Sequence, residues 1–228
     1  MFDLFGTLLS YCNSGTAQGF QRSHELLLEA GATVSYDEFL DEWDATFCEF
    51  ESGAQKTHDE FTMDQVCSAF TKRTVGDAAD DGLVQRFRRT YLEEWTRCVD
   101  LVPGVADMII DLSDRYTLTV ITNTHDGAYA RSQIDRIGVT DRFVSIVTSV
   151  EHGKRKPSAE IFDYALQVSG AAAESTLFVG DSLEADYTGA TGAGMMAVLI
   201  DPERKHDIPA SDRIDTITEL PAWLEEAI

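Results

Sequence analysis

Hydrophobic positions in the first part of the chain recur at helical spacing. From about residue 16 to residue 98, apolar side chains return every three or four positions, and the alternation typical of strands is almost absent. This spacing predicts four helices, near residues 17–30, 36–52, 63–73 and 82–97. Gly31, Gly53 and Gly76 mark the predicted breaks, and Asp80 or Asp81 is the predicted N-cap of the last helix.

From Leu101 onward, short apolar runs alternate with helical patterns. Buried strands are predicted at residues 118–122, 144–148, 176–179 and 196–200, with a last short strand at 214–217. The helices between and after them are predicted at 104–114, 127–137, 158–169 and 186–193, followed by a C-terminal helix through Trp223. This alternation predicts a doubly wound parallel α/β sheet, with a functional site at the carboxyl ends of its strands.

Length and composition fit a globular protein. The chain has 228 residues, of which 43% are hydrophobic, so it can form one large domain or a core domain with a smaller insert. No apolar run approaches the ~20 residues that cross a bilayer, and no signal-peptide pattern stands at the start. These features predict a soluble, cytoplasmic protein.

Acidic side chains dominate the charge. The formal net charge is -22 and the pI is about 4.4. This charge argues against nucleic acids and anionic membranes as partners, because phosphate backbones are bound by clustered Lys and Arg. The carboxylates are spread along the chain, as on the surfaces of proteins from salt-loving organisms. Because salt screens repulsion between like charges, we expect the fold to lose stability in dilute buffer.

The cysteines do not form a recognisable site. The chain has four cysteines, Cys12, Cys48, Cys67 and Cys98, and their spacing forms neither a CxxC pair nor a zinc-type cluster. We therefore expect reduced thiols at apolar helix positions.

Two aspartates are predicted to meet at one edge of the sheet. Asp181 directly follows an apolar run, and Asp3 opens the sequence Asp-Leu-Phe-Gly-Thr. A carboxylate can attack phosphorus and form an aspartyl-phosphate, which divides one difficult displacement into two easier ones. Two neighbouring carboxylates repel each other unless a cation lies between them. Mg²⁺ suits such a site, because it binds oxygen ligands that include one or two carboxylates.

Other side chains are suited to bind phosphate. Thr122 and Asn123 end a predicted strand, and their hydroxyl and amide can donate to phosphoryl oxygens. Lys156 precedes Pro157 in the run Gly-Lys-Arg-Lys-Pro. Taken alone, Thr122-Asn123 favours a strand-end cap, and the basic run is also typical of a solvated surface cluster.

In this order, the motifs resemble those of the haloacid dehalogenase-like (HAD) hydrolase superfamily, most of whose members are phosphatases. The fourth motif is the most specific, because Gly180-Asp181-Ser182 is followed by Asp186 and a glycine-rich segment. The resemblance covers nearly the whole chain and implies a Rossmann-like core with a helical cap inserted after the first motif. It places the core in residues 1–13 and 99–228 and the cap in residues 14–98. Such a cap excludes water and selects the substrate.

The resemblance implies roles for the residues that handle phosphate. Asp3 is then the nucleophile. Thr122, Asn123 and Lys156 hold the phosphoryl group, and Lys156 neutralises the charge of that group and of Asp3.

It also implies a metal site. Mg²⁺ would be held by Asp3, the backbone carbonyl of Phe5 and Asp181, while Asp186 would orient a water or Lys156. An acid at a helix N-terminus is, however, also typical of simple stabilisation by the helix dipole.

Phe5 departs from the phosphatase pattern, which usually has Asp at this position. That Asp protonates the leaving alcohol and later activates water, and Phe can do neither. General acid–base catalysis contributes ~10²–10⁴ in rate. We therefore expect slow turnover unless His125, Asp126 or an acid of the cap takes over this role.

An aromatic residue at this position is typical of the 2-haloacid dehalogenases of the same superfamily, which need no metal. Two features oppose that interpretation. The dehalogenases have a Ser-x-Asn arrangement in the fourth motif, whereas Asp181 is present here. They also have a cap arginine in a Trp-Arg-x-x-Gln-type stretch, whereas this chain has Trp43-Asp44-Ala45. Arg22 is the nearest cap cation by sequence and is predicted to lie on the surface.

The start of the chain is shorter than the resemblance implies. The superfamily has a central strand of several apolar residues before the nucleophile, whereas only Met1 and Phe2 precede Asp3. Each missing apolar residue would cost ~1.5–3 kcal/mol of burial. We therefore expect the natural chain to begin upstream of Met1.

The sequence thus predicts a Mg²⁺-dependent phosphatase that acts on a small phosphomonoester through an aspartyl-phosphate. Two alternatives stay open: a 2-haloacid dehalogenase-like hydrolase without metal, and a catalytically weak phosphate-binding or regulatory protein. Neither the substrate nor the oligomeric state follows from the sequence.

Overall fold

The computed structural model describes residues 1–11 and 19–227. The chain divides into two compact units, Met1–Ser10 with Leu101–Ile228, and Tyr11–Asp100. Cys12, the predicted boundary between residues 13 and 14, and the predicted start of the first helix at residue 17 lie outside the described residues.

Helices build the unit that comprises residues 11–100. In chain order, the elements from Leu9 to Leu101 are β1 (Leu9–Tyr11), α1 (Gln21–Glu29), α2 (Tyr36–Thr57), α3 (Met63–Val75), α4 (Asp81–Trp95) and β2 (Val99–Leu101), with 3₁₀ turns at Gly76–Ala78 and Thr96–Cys98. The predicted N-cap of α4 is confirmed, because the Asp80 side chain accepts from the Leu83 N–H at 2.7 Å.

One predicted break in this unit is wrong. Helix α2 continues through Gly53 and ends at Thr57, followed by the C-cap residue His58 in a left-handed conformation with φ 55°. A glycine costs a helix only about 1 kcal/mol relative to alanine. Ser35 and Glu38 form a capping box at the start of α2, and buried Phe39 and Trp43 anchor it in the aromatic core, so the helix tolerates Gly53.

The surface position predicted for Arg22 and the burial predicted for the cysteines can be compared with the structure. Arg22 pairs with Glu93 at 3.0 Å, and both side chains are about half exposed, so its surface position is confirmed. Cys48, Cys67 and Cys98 are reduced and form no disulfide with one another. Cys67 is buried as expected, whereas Cys48 is exposed. In the described part of the chain, no helix is long and apolar enough to span a bilayer.

Strands and helices alternate in the other unit. After β2 the elements are α5 (Val105–Ser113), β3 (Leu118–Thr122), α6 (Gly127–Ile137), β4 (Phe143–Thr148), α7 (Ser149–His152), α8 (Ala159–Ser169), β5 (Leu177–Gly180), a π-helical turn (Leu183–Thr188), α9 (Gly189–Gly192), β6 (Met196–Ile200), β7 (Arg213–Ile214) and α10 (Leu220–Ala227), with 3₁₀ turns at Thr140–Arg142, Ala173–Ser175, Ala210–Asp212 and Ile217–Glu219.

The sheet of this unit is parallel, which confirms the predicted α/β class. Strand β3 pairs with β4, β5 with β6, and β6 with β7, all in parallel. Phe2 joins the two parts, because it bridges to Val120 of β3 and to Val179 of β5. The first residues therefore lie between β3 and β5, in the middle of the sheet. The Met1 ammonium donates to the Leu177 carbonyl at 2.6 Å, and burial lowers its pKa to about 5.

Two elements differ from the prediction. The helix expected at residues 186–193 is a π-helical turn followed by the short α9. The Ser182 carbonyl accepts from both the Asp186 and the Tyr187 N–H, and this second bond widens the turn. The strand expected at 214–217 is confined to β7 and gives way to a 3₁₀ turn.

Candidate active site

Four predicted site residues meet where strands of the sheet end. Asp3 follows Phe2 and is held by its own N–H, which donates to the Val179 carbonyl at 2.9 Å. Asp181 directly follows β5, and Asp186 lies in the π-helical turn beyond it. The carboxylates of Asp3, Asp181 and Asp186 offer oxygens that all lie within 4.8 Å of one another.

Lys156 lies at the centre of this group. Its Nζ is 2.7 Å from Asp3 Oδ1 and 2.7 Å from Asp186 Oδ1. All three side chains are buried, with exposed fractions of 2% for Lys156, 9% for Asp3 and 3% for Asp186. One ammonium thus links two buried carboxylates, a geometry in which removal of the cation is far more costly than at the surface.

Asn123 fixes the backbone of Lys156. Its Nδ2 donates to the Lys156 carbonyl at 2.9 Å, and its Oδ1 accepts from the Lys156 N–H at 2.8 Å. The Lys156–Pro157 peptide bond is cis. One amide proton of Asn123 is therefore committed to positioning Lys156, a role that the sequence did not reveal. The contacts of Thr122 and Asn123 with a phosphoryl group stay predictions; Thr122 is fully buried at the end of β3.

Two glycines leave room for the carboxylates. Asp186 folds back so that its Oδ2 accepts from the Ser182 N–H at 2.9 Å, and a Cβ on Gly180 would come within 2.3 Å of the Asp186 Cγ. Gly6 has φ +92°, and a Cβ there would come within 2.2 Å of Asp181 Oδ2. The close approach of Gly6 to Asp181 could not be predicted from the sequence, because the two residues are far apart in the chain.

Burial raises the pKa of two carboxyls in this site, those of Asp3 and Asp181. The pKa of Asp3 is raised to about 7, by burial first and by Asp186 and Asp181, against the opposing effect of Lys156. The pKa of Asp181 is raised to about 6, by burial and by the charge of Asp186. Burial lowers the pKa of Lys156, but the charges of Asp186 and Asp3 outweigh it, so the net shift is upward. When both carboxyls are ionised, the negative charge of the site therefore exceeds the single positive charge of Lys156.

This donor set fits a hard divalent cation such as Mg²⁺. Both oxygens of Asp186 accept hydrogen bonds, from Lys156 and from Ser182, and Asp3 Oδ1 accepts from Lys156. Asp3 Oδ2 and the Asp181 carboxylate are thus the better placed to bind a metal, with Asp186 as a positioning group. Oxygen ligands from one or two carboxylates are those that Mg²⁺ prefers.

Phe5 is part of an aromatic pair. Its ring stacks on Tyr129, with the centroids 6.2 Å apart and the planes 5° from parallel. Tyr129 belongs to α6, far from Phe5 in sequence, and no sequence pattern predicted it. Of the residues considered as replacements for the missing acid, Asp126 is the buried N-cap of α6 and accepts from the Tyr129 N–H at 2.9 Å. His125 precedes this cap and is partly buried.

We expect Gly6→Ala to weaken metal binding by about 10-fold or more, because the new methyl group would displace the Asp181 carboxylate. Alanine at a positive φ also costs roughly 1–2 kcal/mol of backbone strain. Gly170→Ala is the matched control, because Gly170 has φ +67° but no atom within 4 Å of the added Cβ. Titration calorimetry with Mg²⁺ measures the difference. Equal Mg²⁺ affinities of the two variants would contradict the proposal that Gly6 leaves the space needed by the Asp181 carboxylate.

Comparisons with known proteins agree with this architecture. Residues 39–200 match the family described as haloacid dehalogenase-like hydrolase. A ribulose-1,5-bisphosphate 5-phosphatase from Halopiger xanaduensis is 29% identical to this chain over 96% of each protein.

Two solved structures share the fold. A 2-haloacid dehalogenase from Pseudomonas syringae superposes with a TM-score of 0.75 at 22% identity, over 100% of this chain and 97% of that one. The HAD-hydrolase YfnB from Bacillus subtilis, in a magnesium-bound form, has a TM-score of 0.67 at 24% identity, over 98% of this chain and 96% of that one. At these identities the likeness establishes the fold alone.

Proposed function

The chain belongs to the haloacid dehalogenase-like hydrolase family, and we propose that it is a phosphatase that hydrolyses a small phosphorylated compound. The observation that carries this proposal is the buried triad in which Lys156 links Asp3 to Asp186 beside Asp181. The full-length resemblance to a phosphatase from Halopiger xanaduensis supports it.

Asp3 is the proposed nucleophile. The Asp3 carboxylate, oriented by the bond from Lys156 to its Oδ1, attacks phosphorus through one of its oxygens and forms an aspartyl-phosphate. Lys156 stays protonated, because its pKa is raised, and so keeps a positive charge beside the attacking oxygen. We propose that Thr122 and Asn123 border the phosphoryl group and that Asn123 also holds Lys156 in place.

The proposed metal site consists of Asp3, Asp181 and the backbone carbonyl of Phe5. Mg²⁺ bound there would neutralise the two carboxylates and the charge of the phosphoryl group. Asp186 contributes by holding Lys156 and by its bond to Ser182. The helical unit would act as the cap that shields the site and selects the substrate.

Phosphate release from a panel of small phosphate esters and acyl phosphates tests the proposal. The assay is run in molar KCl, with Mg²⁺ or with a chelator, on the wild type and on Asp3→Asn. We expect release that requires Mg²⁺ and is lost in the variant. If the folded wild type releases no phosphate from any compound, the proposal is wrong.

A second candidate, 2-haloacid dehalogenase activity, is favoured only by the aromatic side chain of Phe5. Chloride release from 2-chloropropionate in the presence of chelator identifies it. Mg²⁺-dependent binding of phosphate without turnover would instead favour a phosphate-binding protein.

We expect Mg²⁺ binding to weaken as the pH falls. The pKa values of Asp3 and Asp181, about 7 and about 6, mean that both carboxyls are ionised at pH 8 and mostly protonated at pH 5.5. Because Mg²⁺ must displace these protons, its apparent affinity should fall by about 100-fold between the two pH values. Calorimetry at each pH, with proton release measured in two buffers of different ionisation enthalpy, checks this. An affinity that is constant over this range would contradict it.

A further inference from the structure

Few of the described groups near Asp3 are suited to donate a proton to a leaving oxygen. Among the described residues, Asp181 and Asp186 offer carboxylate oxygens within 4.8 Å of those of Asp3, and Lys156 donates to Asp3 Oδ1. Lys156 donates to both Asp3 and Asp186, and a lysine ammonium, whose ordinary pKa is about 10.4, is a weak acid. Asp186 accepts at both oxygens, and Asp181 is the proposed metal ligand. Each of the three therefore has a task other than protonation of a departing oxygen.

The segment that follows Asp3 is apolar instead of acidic. Phe5, two residues beyond the nucleophile, is half-buried, and its ring lies flat against Tyr129. Phenylalanine cannot donate a proton, and a tyrosine hydroxyl is a weak acid with a pKa near ~10. Asp126, the nearest carboxyl in sequence to Tyr129, is occupied as the cap of α6.

We infer that, if the protein is the phosphatase proposed above, it prefers phosphates whose leaving group departs as a stable anion, such as acyl, enol and aryl phosphates, over simple alkyl phosphates. Phe5 is then the specificity-determining residue. An alkoxide is strongly basic and departs readily only with a proton, whereas a carboxylate, enolate or phenolate needs less assistance.

The reaction then proceeds without a general acid. An Asp3 oxygen bonds to phosphorus as the bond from phosphorus to the leaving oxygen breaks, and the electron pair departs with that oxygen as a free anion. Water then attacks the phosphorus of the aspartyl-phosphate, the bond to Asp3 breaks, and the carboxylate is restored. The products are phosphate and the leaving group, and the protons of the attacking water pass to phosphate and to solvent.

This inference is tested with a series of aryl phosphates and one alkyl phosphate. The leaving phenols of the series span pKa values from about 4 to about 10. The quantity compared is kcat/KM, because it reports the step in which the leaving group departs. We expect kcat/KM of the wild type to fall by at least about 100-fold across the aryl series and further for the alkyl phosphate. In Phe5→Asp, kcat/KM should depend less steeply on the pKa of the leaving phenol, and kcat/KM for the alkyl phosphate should rise by about 10-fold or more.

Phe5→Asn is the matched control, because Asn has the shape of Asp but cannot act as an acid, and it should keep the steep dependence. A flat wild-type series would overturn the inference. So would a steeper series in His125→Ala or Tyr129→Phe, because that residue would then be the proton donor. If even the most activated aryl phosphate gives no release that depends on Asp3, the phosphatase proposal itself fails; a flat series with release refutes only the leaving-group preference.

Discussion

Replacement of Asp3 by Asn should abolish turnover while leaving the fold intact. We expect kcat/KM to fall by at least about 10⁴-fold, because an amide cannot form the aspartyl-phosphate and losses of a nucleophile are of this size or larger. Stability at pH 8 should be unchanged or higher. The Asp3 carboxylate is ionised there at a cost, since burial raises its pKa to about 7, and Asn carries no charge. Lys156 keeps Asp186 as its partner.

Asp163→Asn serves as the control, because Asp163 lies exposed on α8 and the change in charge is the same. Kinetics on the panel of phosphates and thermal unfolding of the three proteins give both readouts. Activity of Asp3→Asn above about one per cent of wild type would contradict the assignment of the nucleophile. A large loss of stability in that variant would show that the ionised carboxylate supports the fold.

Much of the fold could be predicted from the sequence because the signals for helices and strands are local. Strand β3 and helix α6 were predicted with the bounds that the structure shows, since apolar periodicity and an N-cap are properties of adjacent residues. Asp181 could be placed beside Asp3 because parallel strands bring their carboxyl ends to one edge. Gly53 was misinterpreted because the packing that holds α2 together comes from distant residues.

The parts of the site that could not be predicted are contacts between distant segments. Asn123 bonds to the backbone of Lys156, 33 residues away, and neither residue type signals such a partner. The stacking of Phe5 on Tyr129 likewise depends on where α6 begins in space. Motif order identified the chemical groups, but their mutual orientation is set by tertiary packing and backbone hydrogen bonds.

Replacement of Lys156 by Met should both inactivate and destabilise the protein. Met has a similar volume but leaves the buried carboxylates of Asp3 and Asp186 without their shared cation. Removal of one partner of a buried ion pair costs about 3–5 kcal/mol. Lys154→Met, two residues earlier on a less buried side chain, is the control for the loss of one positive charge.

The loss of stability in Lys156→Met should depend on pH. Without Lys156, the pKa of Asp3 rises above the value of about 7 that it has in the wild type. Between its unfolded pKa near 4 and this raised value, the folded variant binds more protons than the unfolded chain, so its unfolding free energy falls as the pH rises. Urea unfolding should therefore show a larger difference from wild type at pH 8 than at pH 5, and Mg²⁺ should recover part of it at pH 8 by supplying positive charge. An equal difference at both pH values would mean that Lys156 stabilises the fold through packing, not through its charge.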